Sequence, residues 1–201
     1  MDEIVRQALA KWPNVPYCYG WLALDARGAW RMRDERAQAG KLPGERINNE
    51  ALLGFINRNY THDEQGRWYF QNGPQRVYVD LEATPYIART DETGSFLLHT
   101  GERLGKIDSA GMNEDGLLIL QSGDIAAQID DRDMVQCLGL LRAGEAGELA
   151  ASDEELLSWL NNAAEDASQL HFRDGDRLLP IELISRAEIP ARFGFVPSPR
   201  P

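Results

Sequence analysis

Gly66-Arg67-Trp68-Tyr69-Phe70-Gln71-Asn72-Gly73-Pro74-Gln75-Arg76-Val77-Tyr78-Val79-Asp80-Leu81-Glu82 is the stretch that decides the fold class. Apolar and polar residues alternate on both sides of Asn72-Gly73, and period-two alternation marks half-buried strands. Asn-Gly is the strongest two-residue hairpin signal, because both central residues of that turn need positive φ. A turn there predicts the pairs Phe70–Gln75, Tyr69–Arg76, Trp68–Val77 and Arg67–Tyr78. Trp68, Phe70, Val77, Val79 and Leu81 then share one face, and Arg67, Tyr69, Gln71, Arg76, Tyr78 and Asp80 the other. Pro74 lacks a backbone donor, so its strand is expected to start at a sheet edge.

Working outward, residues 2–11 read as a helix capped by Asp2, with Ile4, Val5, Ala8 and Leu9 on one face. Tyr17 to Asp25 and Ala29 to Arg33 read as strands around the turn Asp25-Ala26-Arg27-Gly28. Trp30 and Met32 then share one face, Arg31 and Arg33 the other. Residues 37–44 read as a loop. Asn48 or Asn49 caps a helix with Leu52, Leu53, Phe55 and Ile56 on its apolar face. From residue 84 the pattern turns to short strands at 85–90, 95–99, 103–107, 117–121 and 125–129. A helix capped by Asp131 follows, then one behind the capping box Ser152–Glu155, then a hairpin around Asp174-Gly175-Asp176. No internal repeat is apparent. Hairpins mixed with isolated helices predict an α+β class, with mainly antiparallel sheets, a few packed helices and two β-rich lobes. The expected division is an aromatic-rich α+β lobe over 1–83, an acidic β-rich lobe with two helices over 84–196, and a disordered tail over 197–201.

The 201 residues carry a net charge of −11, unevenly placed. Residues 1–90 hold 12 Lys/Arg and 11 Asp/Glu, whereas residues 91–201 hold 9 and 21. The acidic C-terminal half repels phosphates and anionic lipid, and charge alone does not exclude the N-terminal half; neither nucleic acid nor a membrane is expected as partner. Met1-Asp2-Glu3-Ile4 is acidic with no apolar segment behind it, so no secretory signal is expected. Cys18 and Cys137 are far apart and fit reduced thiols in a cytoplasmic protein.

Phosphate-loop, dinucleotide, zinc-protease, nucleophile-elbow and Cys-x-x-Cys patterns are absent. His62, His99 and His171 are not spaced two to four apart, so no strand or helix arranges any pair as metal ligands. Asp124, Asp130, Asp131 and Asp133 fit no calcium loop and read as cap and first-turn charges. No metal and no cofactor are expected. The anomaly is aromatic: Trp12, Trp21, Trp30 and Trp68 crowd the first 70 residues. With Tyr69 opposite Arg76 and Tyr78 opposite Arg67, the second hairpin face reads as core packing or as a stacking platform for an anionic ring ligand. The candidate ligand residues are Arg67, Tyr69, Arg76, Tyr78 and, at a strand end, His99.

The segments Trp12-Pro13-Asn14-Val15-Pro16, Tyr19-Gly20-Trp21-Leu22-Ala23-Leu24-Asp25 and Gly66 to Val79 resemble a family of proteobacterial proteins of this length and unknown function. The likeness covers most of the chain and is strongest over residues 12–90. The order of Trp12-Pro13, a helix and Asp63-x-x-Gly66-Arg67-Trp68 also resembles a second bacterial family of unknown function with a two-lobed, β-rich structure. These resemblances imply a cytoplasmic bacterial α+β protein and no activity. The leading expectation is a non-enzymatic binding or regulatory module for a small ligand or protein partner. The alternatives are a small hydrolase or transferase with a scattered site around His99 and Glu102, and a subunit that forms a homodimer through the Trp-rich sheet.

Overall fold

The computed structural model describes residues 1–144, 147, 149–162 and 170–201. The chain divides into two compact units, one of Met1–Pro85 with Pro190–Pro201, the other of Tyr86–Ile189. The first holds 13 Lys/Arg against 11 Asp/Glu and the second 8 against 21, so the units differ in sign. No helix among the described residues is long and apolar enough to cross a membrane.

In unit 1 the elements are α1 (Glu3–Lys11), β1 (Cys18–Leu24), β2 (Trp30–Met32), α2 (Glu35–Ala39), β3 (Glu45–Arg46), α3 (Glu50–Arg58), β4 (Tyr60–His62), β5 (Trp68–Asn72) and β6 (Gln75–Leu81). The strands form one sheet in the order β3-β2-β1-β6-β5-β4. β1 and β6 run parallel, with Leu22 beside Val79 and Leu24 beside Leu81, and the other pairs are antiparallel. Asn49 caps α3 by accepting from the Leu52 N–H at 2.9 Å, as its position predicts. Asp2 stands before α1 but makes no side-chain cap bond; its carboxylate reaches Arg58 and Asn59 instead. Val5 carries the buried side of α1, while Ile4 is 72% exposed. Residues 37–39, expected as loop, belong to α2, which the Asp34 carboxylate caps by accepting from the Ala37 N–H at 2.7 Å. Residues 197–201, expected to be disordered, lie along unit 1: the Leu81 N–H donates to Pro197 O at 2.7 Å and Arg200 pairs with Asp80 at 2.9 Å.

In unit 2 the elements are β7 (Tyr86–Thr90), β8 (Phe96–Leu98), β9 (Ser109–Met112), β10 (Leu118–Ser122), β11 (Ile125–Ile129), α4 (Met134–Leu138), β12 (Leu141–Ala143), β13 (Leu149–Ala150), α5 (Asp153–Asn162), β14 (Leu170–Asp174) and β15 (Arg177–Leu183). Their sheet runs β13-β12-β14-β15-β9-β10-β11-β7-β8. Its core gathers Met112, Leu118, Leu120, Ile129 and Phe172, all buried. A last helix, α6, spans Ile189–Arg192. Expected strand 103–107 is instead a cover for β8, joined by the bridge Leu97–Arg103 and by the Leu104 N–H on Phe96 O. Ser152 and Glu155 form the expected reciprocal box at α5. Asp130, not Asp131, caps the turn before α4. The sheets are mixed but mostly antiparallel, and the class is α+β.

The two units repeat one motif, which corrects the reading of a chain without repeats. In unit 1 the strand order β2-β1-β6-β5-β4 matches β8-β7-β11-β10-β9 in unit 2, with β6 parallel to β1 as β11 is to β7. The hairpin turns repeat too. Asp25, Asp63, Asp91 and Asn113 each present one side-chain oxygen to the N–H groups two and four residues on, at 2.8–3.0 Å. Such an Asx turn satisfies two amides that the bend leaves out of the ladder.

Candidate functional site

The hairpin is built one step away from its expected register. Asn72 pairs with Gln75, Gln71 with Arg76, Phe70 with Val77 and Tyr69 with Tyr78, so the two-residue turn is Gly73-Pro74. Gly73 takes φ +56. The Pro74 ring fixes φ near about −65°, and positive-then-negative φ is the hairpin turn that wants Gly first. Pro74 therefore costs no ladder bond, and β6 is an interior strand, not an edge. Moving the turn by one residue moves each partner by two, so every side chain keeps its expected face.

The first face is core. Trp68 is 7% exposed and its ring lies 4.8 Å from Tyr60, while Phe70 meets Phe55 of α3 edge-on at 5.3 Å. The second face is covered as well, by its own residues and two from β1 and its approach. Tyr78, 1% exposed, is stacked by Tyr19 at 4.7 Å and 5°, and met edge-on by Tyr17 and Tyr69, each at 5.7 Å. The Arg67 guanidinium stands 5.0 Å from the Tyr78 ring. The Arg76 guanidinium lies between Tyr69 at 4.6 Å and Tyr17 at 5.4 Å. Each ring thus meets another ring or a cation. The expected opposition of Tyr69 to Arg76 and of Tyr78 to Arg67 becomes a diagonal contact, and the tyrosine faces are interior, not an open platform.

Charge inside this array is unequal. Asp63 accepts from the Arg67 Nε at 2.8 Å and from the Tyr78 hydroxyl at 3.0 Å. Burial opposes ionisation of Asp63, but the hydrogen bonds from Arg67, Tyr78 and Gln65 outweigh it and hold the carboxyl below its ordinary range. Burial pushes the Tyr69 hydroxyl up, against the opposing pull of the Arg76 charge. Burial does the same at Tyr78. Arg67 is neutralised by Asp63; Arg76 has no carboxylate partner among the described residues. Burial works against its charge, yet the Tyr78 hydroxyl and the surrounding phenols hold it protonated.

His99 belongs to unit 2, outside this array. It ends the β8 hairpin, its Nδ1 accepting from the Ile87 N–H at 3.3 Å and its ring 5.8 Å from Tyr86. Burial, then the Glu102 charge, pushes the Tyr86 hydroxyl up to about 12. Asp130 pairs with Arg132, and Asp133 accepts from the Thr90 N–H at 2.7 Å, so both acids serve the fold. Among the described residues no group of three His, Cys, Asp or Glu could hold a metal ion. Both cysteines are free, and burial pushes the Cys137 thiol up to about 12. The residues that sequence reasoning missed lie farther along the same sheet face. Beyond Asp80 it opens into a cleft of about 520 Å³ bearing Arg31, Arg33, Lys41 and Arg200. The signal was present for two of them, since alternation sets Arg31 and Arg33 opposite Trp30.

The family model DUF2944, described as "Protein of unknown function (DUF2946)", matches residues 1–200, and the chain belongs to that family. A DUF1285 family protein from Silicibacter pomeroyi DSS-3 is similar in structure, at TM-score 0.51 and 12% identity, over 90% of this chain and 96% of the other. That likeness shows the fold alone. A DUF1285 family protein from Shewanella baltica OS155 aligns at TM-score 0.40 and 10% identity, over 58% of this chain and 88% of the other. No curated protein matches.

Proposed function

We propose that this family member is a non-enzymatic binding module that takes up a small organic anion on the second sheet face of unit 1, with Arg76 as the anion contact. The observation that carries this reading is a half-buried guanidinium without a carboxylate, gripped by two tyrosine rings in the cationic unit of an acidic protein. A planar guanidinium fork suits carboxylate and phosphate oxygens, and a pre-oriented side chain loses little freedom on binding. Tyr17, Tyr69 and the Tyr78 hydroxyl hold Arg76 in place, and Arg67 packs on Tyr78; Tyr69 and Tyr78 do not stack on the ligand. The reading places the module in the cytoplasm, supported by its free cysteines. The hydrolase or transferase alternative has less support, because the His99 Nδ1 is already engaged by the Ile87 amide.

The test is a thermal-shift screen of aromatic and aliphatic carboxylates and phosphates against wild type, Arg76→Ala and Arg76→Lys. Wild type is expected to gain melting temperature with at least one anion. Arg76→Ala should lose that gain, and Arg76→Lys should keep only part of it. The proposal is overturned if no anion stabilises wild type, or if every stabilising anion gives an unchanged gain in Arg76→Ala.

A further inference from the structure

The cleft beyond Asp80 is lined from unit 1 alone, and its volume of about 520 Å³ fits a small molecule. Ala23, Leu42 and Pro43 give it apolar walls. Four cations, Arg31, Arg33, Lys41 and Arg200, face three carboxylates, Asp25, Asp80 and Glu82. The difference lies in which groups still have bonds to make.

The carboxylates are engaged. One Asp25 oxygen accepts from the Arg27 and Ala29 amides at 3.0 and 2.8 Å, and the other from Arg31 at 2.7 Å. Asp80, 8% exposed, sits between Arg33 and Arg200, the latter at 2.9 Å. Glu82 accepts from the Ala26 N–H at 3.0 Å. The cations are not used up, because a guanidinium has five N–H groups. Arg33 donates from Nε to Leu42 O and from Nη1 to Asp80, which leaves Nη2. Arg31 donates from Nε and Nη1, and Arg200 from Nη1 only. Lys41 makes no ion pair among the described residues. Unused N–H groups therefore remain on all four cations, against one carboxylate oxygen, that of Glu82, without a bond among the described residues.

Lys41 adds a second observation. It closes α2 with φ +51, the one non-glycine residue with positive φ among those described. Its N–H bonds Gln38 O at 3.3 Å and the Leu42 N–H bonds Ala37 O at 2.8 Å. That paired closure normally places glycine at this position. Glycine is at hand one residue earlier, yet Gly40 takes an ordinary helical φ of −85. Strain of this kind is retained where a side chain is needed.

We infer that this cleft is an anion site separate from Arg76, and that it takes a small organic oxyanion with an apolar body, the oxyanion held by Lys41, Arg33 and Arg200 and the body by Ala23, Leu42 and Pro43. Arg200 reaches the site because the Leu81 N–H anchors Pro197, so the C-terminal segment is part of the binding wall.

Calorimetric titration of the full chain with phenyl phosphate, benzoate and inorganic phosphate tests this. Phenyl phosphate or benzoate should bind wild type, the better of them at least about tenfold more tightly than inorganic phosphate, since the apolar walls add to the head-group bonds. Lys41→Gly should raise the melting temperature of the free protein, because glycine takes this φ without strain, and weaken the organic anion about tenfold or more. Lys41→Gln, which keeps a polar side chain one atom shorter and removes the charge, should weaken it likewise. Arg76→Ala should leave this affinity within about twofold, which separates the cleft from the tyrosine array. The inference is overturned by no heat on wild type, by inorganic phosphate binding as tightly as the organic anions, or by Lys41→Gln retaining wild-type affinity. It is also overturned if Arg76→Ala weakens the same probe as strongly as the Lys41 variants, for then the anion sits in the array.

Discussion

Gly66 and Gly94 each close an Asx turn of the same type, one in each unit, and replacing each with alanine separates a backbone cost from a contact cost. Both have positive φ, +72 at Gly66 and +78 at Gly94. Left-handed backbone costs an alanine about 1–2 kcal/mol at either site. At Gly94 nothing lies within 4 Å of the added methyl, so the loss stops there. At Gly66 the methyl collides with the Gly194 carbonyl oxygen and comes within 3.2 Å of the Phe195 Cα, which are backbone atoms and cannot swing aside. The C-terminal segment must lift. That breaks the Val196 N–H bond to Gly66 O, now 2.9 Å, and exposes Phe195, now 6% exposed. A net hydrogen bond of about 0.5–1.5 kcal/mol and a buried Phe of about 1.5–3 kcal/mol are at stake. The expected loss is about 1–2 kcal/mol for Gly94→Ala and about 3–6 kcal/mol for Gly66→Ala. Urea titrations followed by far-ultraviolet circular dichroism and by tryptophan fluorescence measure both. Four of the five Trp, all but Trp159, lie in unit 1 and report on Gly66. Losses that agree within about 0.5 kcal/mol would refute the docking of residues 194–196 on this turn.

Trp68→Ala should cost about 3–5 kcal/mol in the same titration, and a loss below about 1 kcal/mol would remove Trp68 from the core. Asp63 has a depressed carboxyl pKa, so its contribution is present above the ordinary carboxylate range and is lost as pH falls through the lower folded value. Asp63→Asn should therefore destabilise at pH 7 and converge with wild type in strong acid; a deficit that does not shrink on acidification tells against the Arg67–Asp63–Tyr78 arrangement. With its thiol pushed up to about 12, Cys137 should stay protonated and resist a thiol reagent at pH 8 until urea unfolds the chain. Fast labelling of the native protein at Cys137 would contradict its burial.

Much of the local structure was legible before any coordinates. Asn49 and the Ser152–Glu155 box announce α3 and α5, because caps use bonds to the next few residues. A second box, Ser185 with Glu188, was equally readable. So was the repeat: residues 63–73 and 113–123 share Glu64 with Glu114, Gly66 with Gly116, Gln71 with Gln121 and Gly73 with Gly123. The Gln side chains even make the same bond, each Nε2 donating to the glycine carbonyl two residues on. Of the candidate ligand residues, alternation grouped Arg67, Tyr69, Arg76 and Tyr78 on one face, but nothing in it tied His99 to them.

Alternation assigned the faces of β5 and β6 correctly, since a side chain's face depends only on parity along its own strand. It could not choose between turns at Asn72-Gly73 and Gly73-Pro74, because a two-residue change of partner leaves parity intact. Nor could it tell whether the second face was open. That depended on Tyr17 and Tyr19, brought beside Tyr78 by the parallel pairing of β1 with β6 across more than fifty residues. The cleft is of the same kind: β2 and the residue after it, the end of α2, β6 and the returning C-terminal segment together supply its charges and walls. Local bonds and periodicity are written in neighbouring residues and were determined by the sequence. Which distant segments pack together is settled by burial shared over the whole unit, and only the tertiary structure decided it.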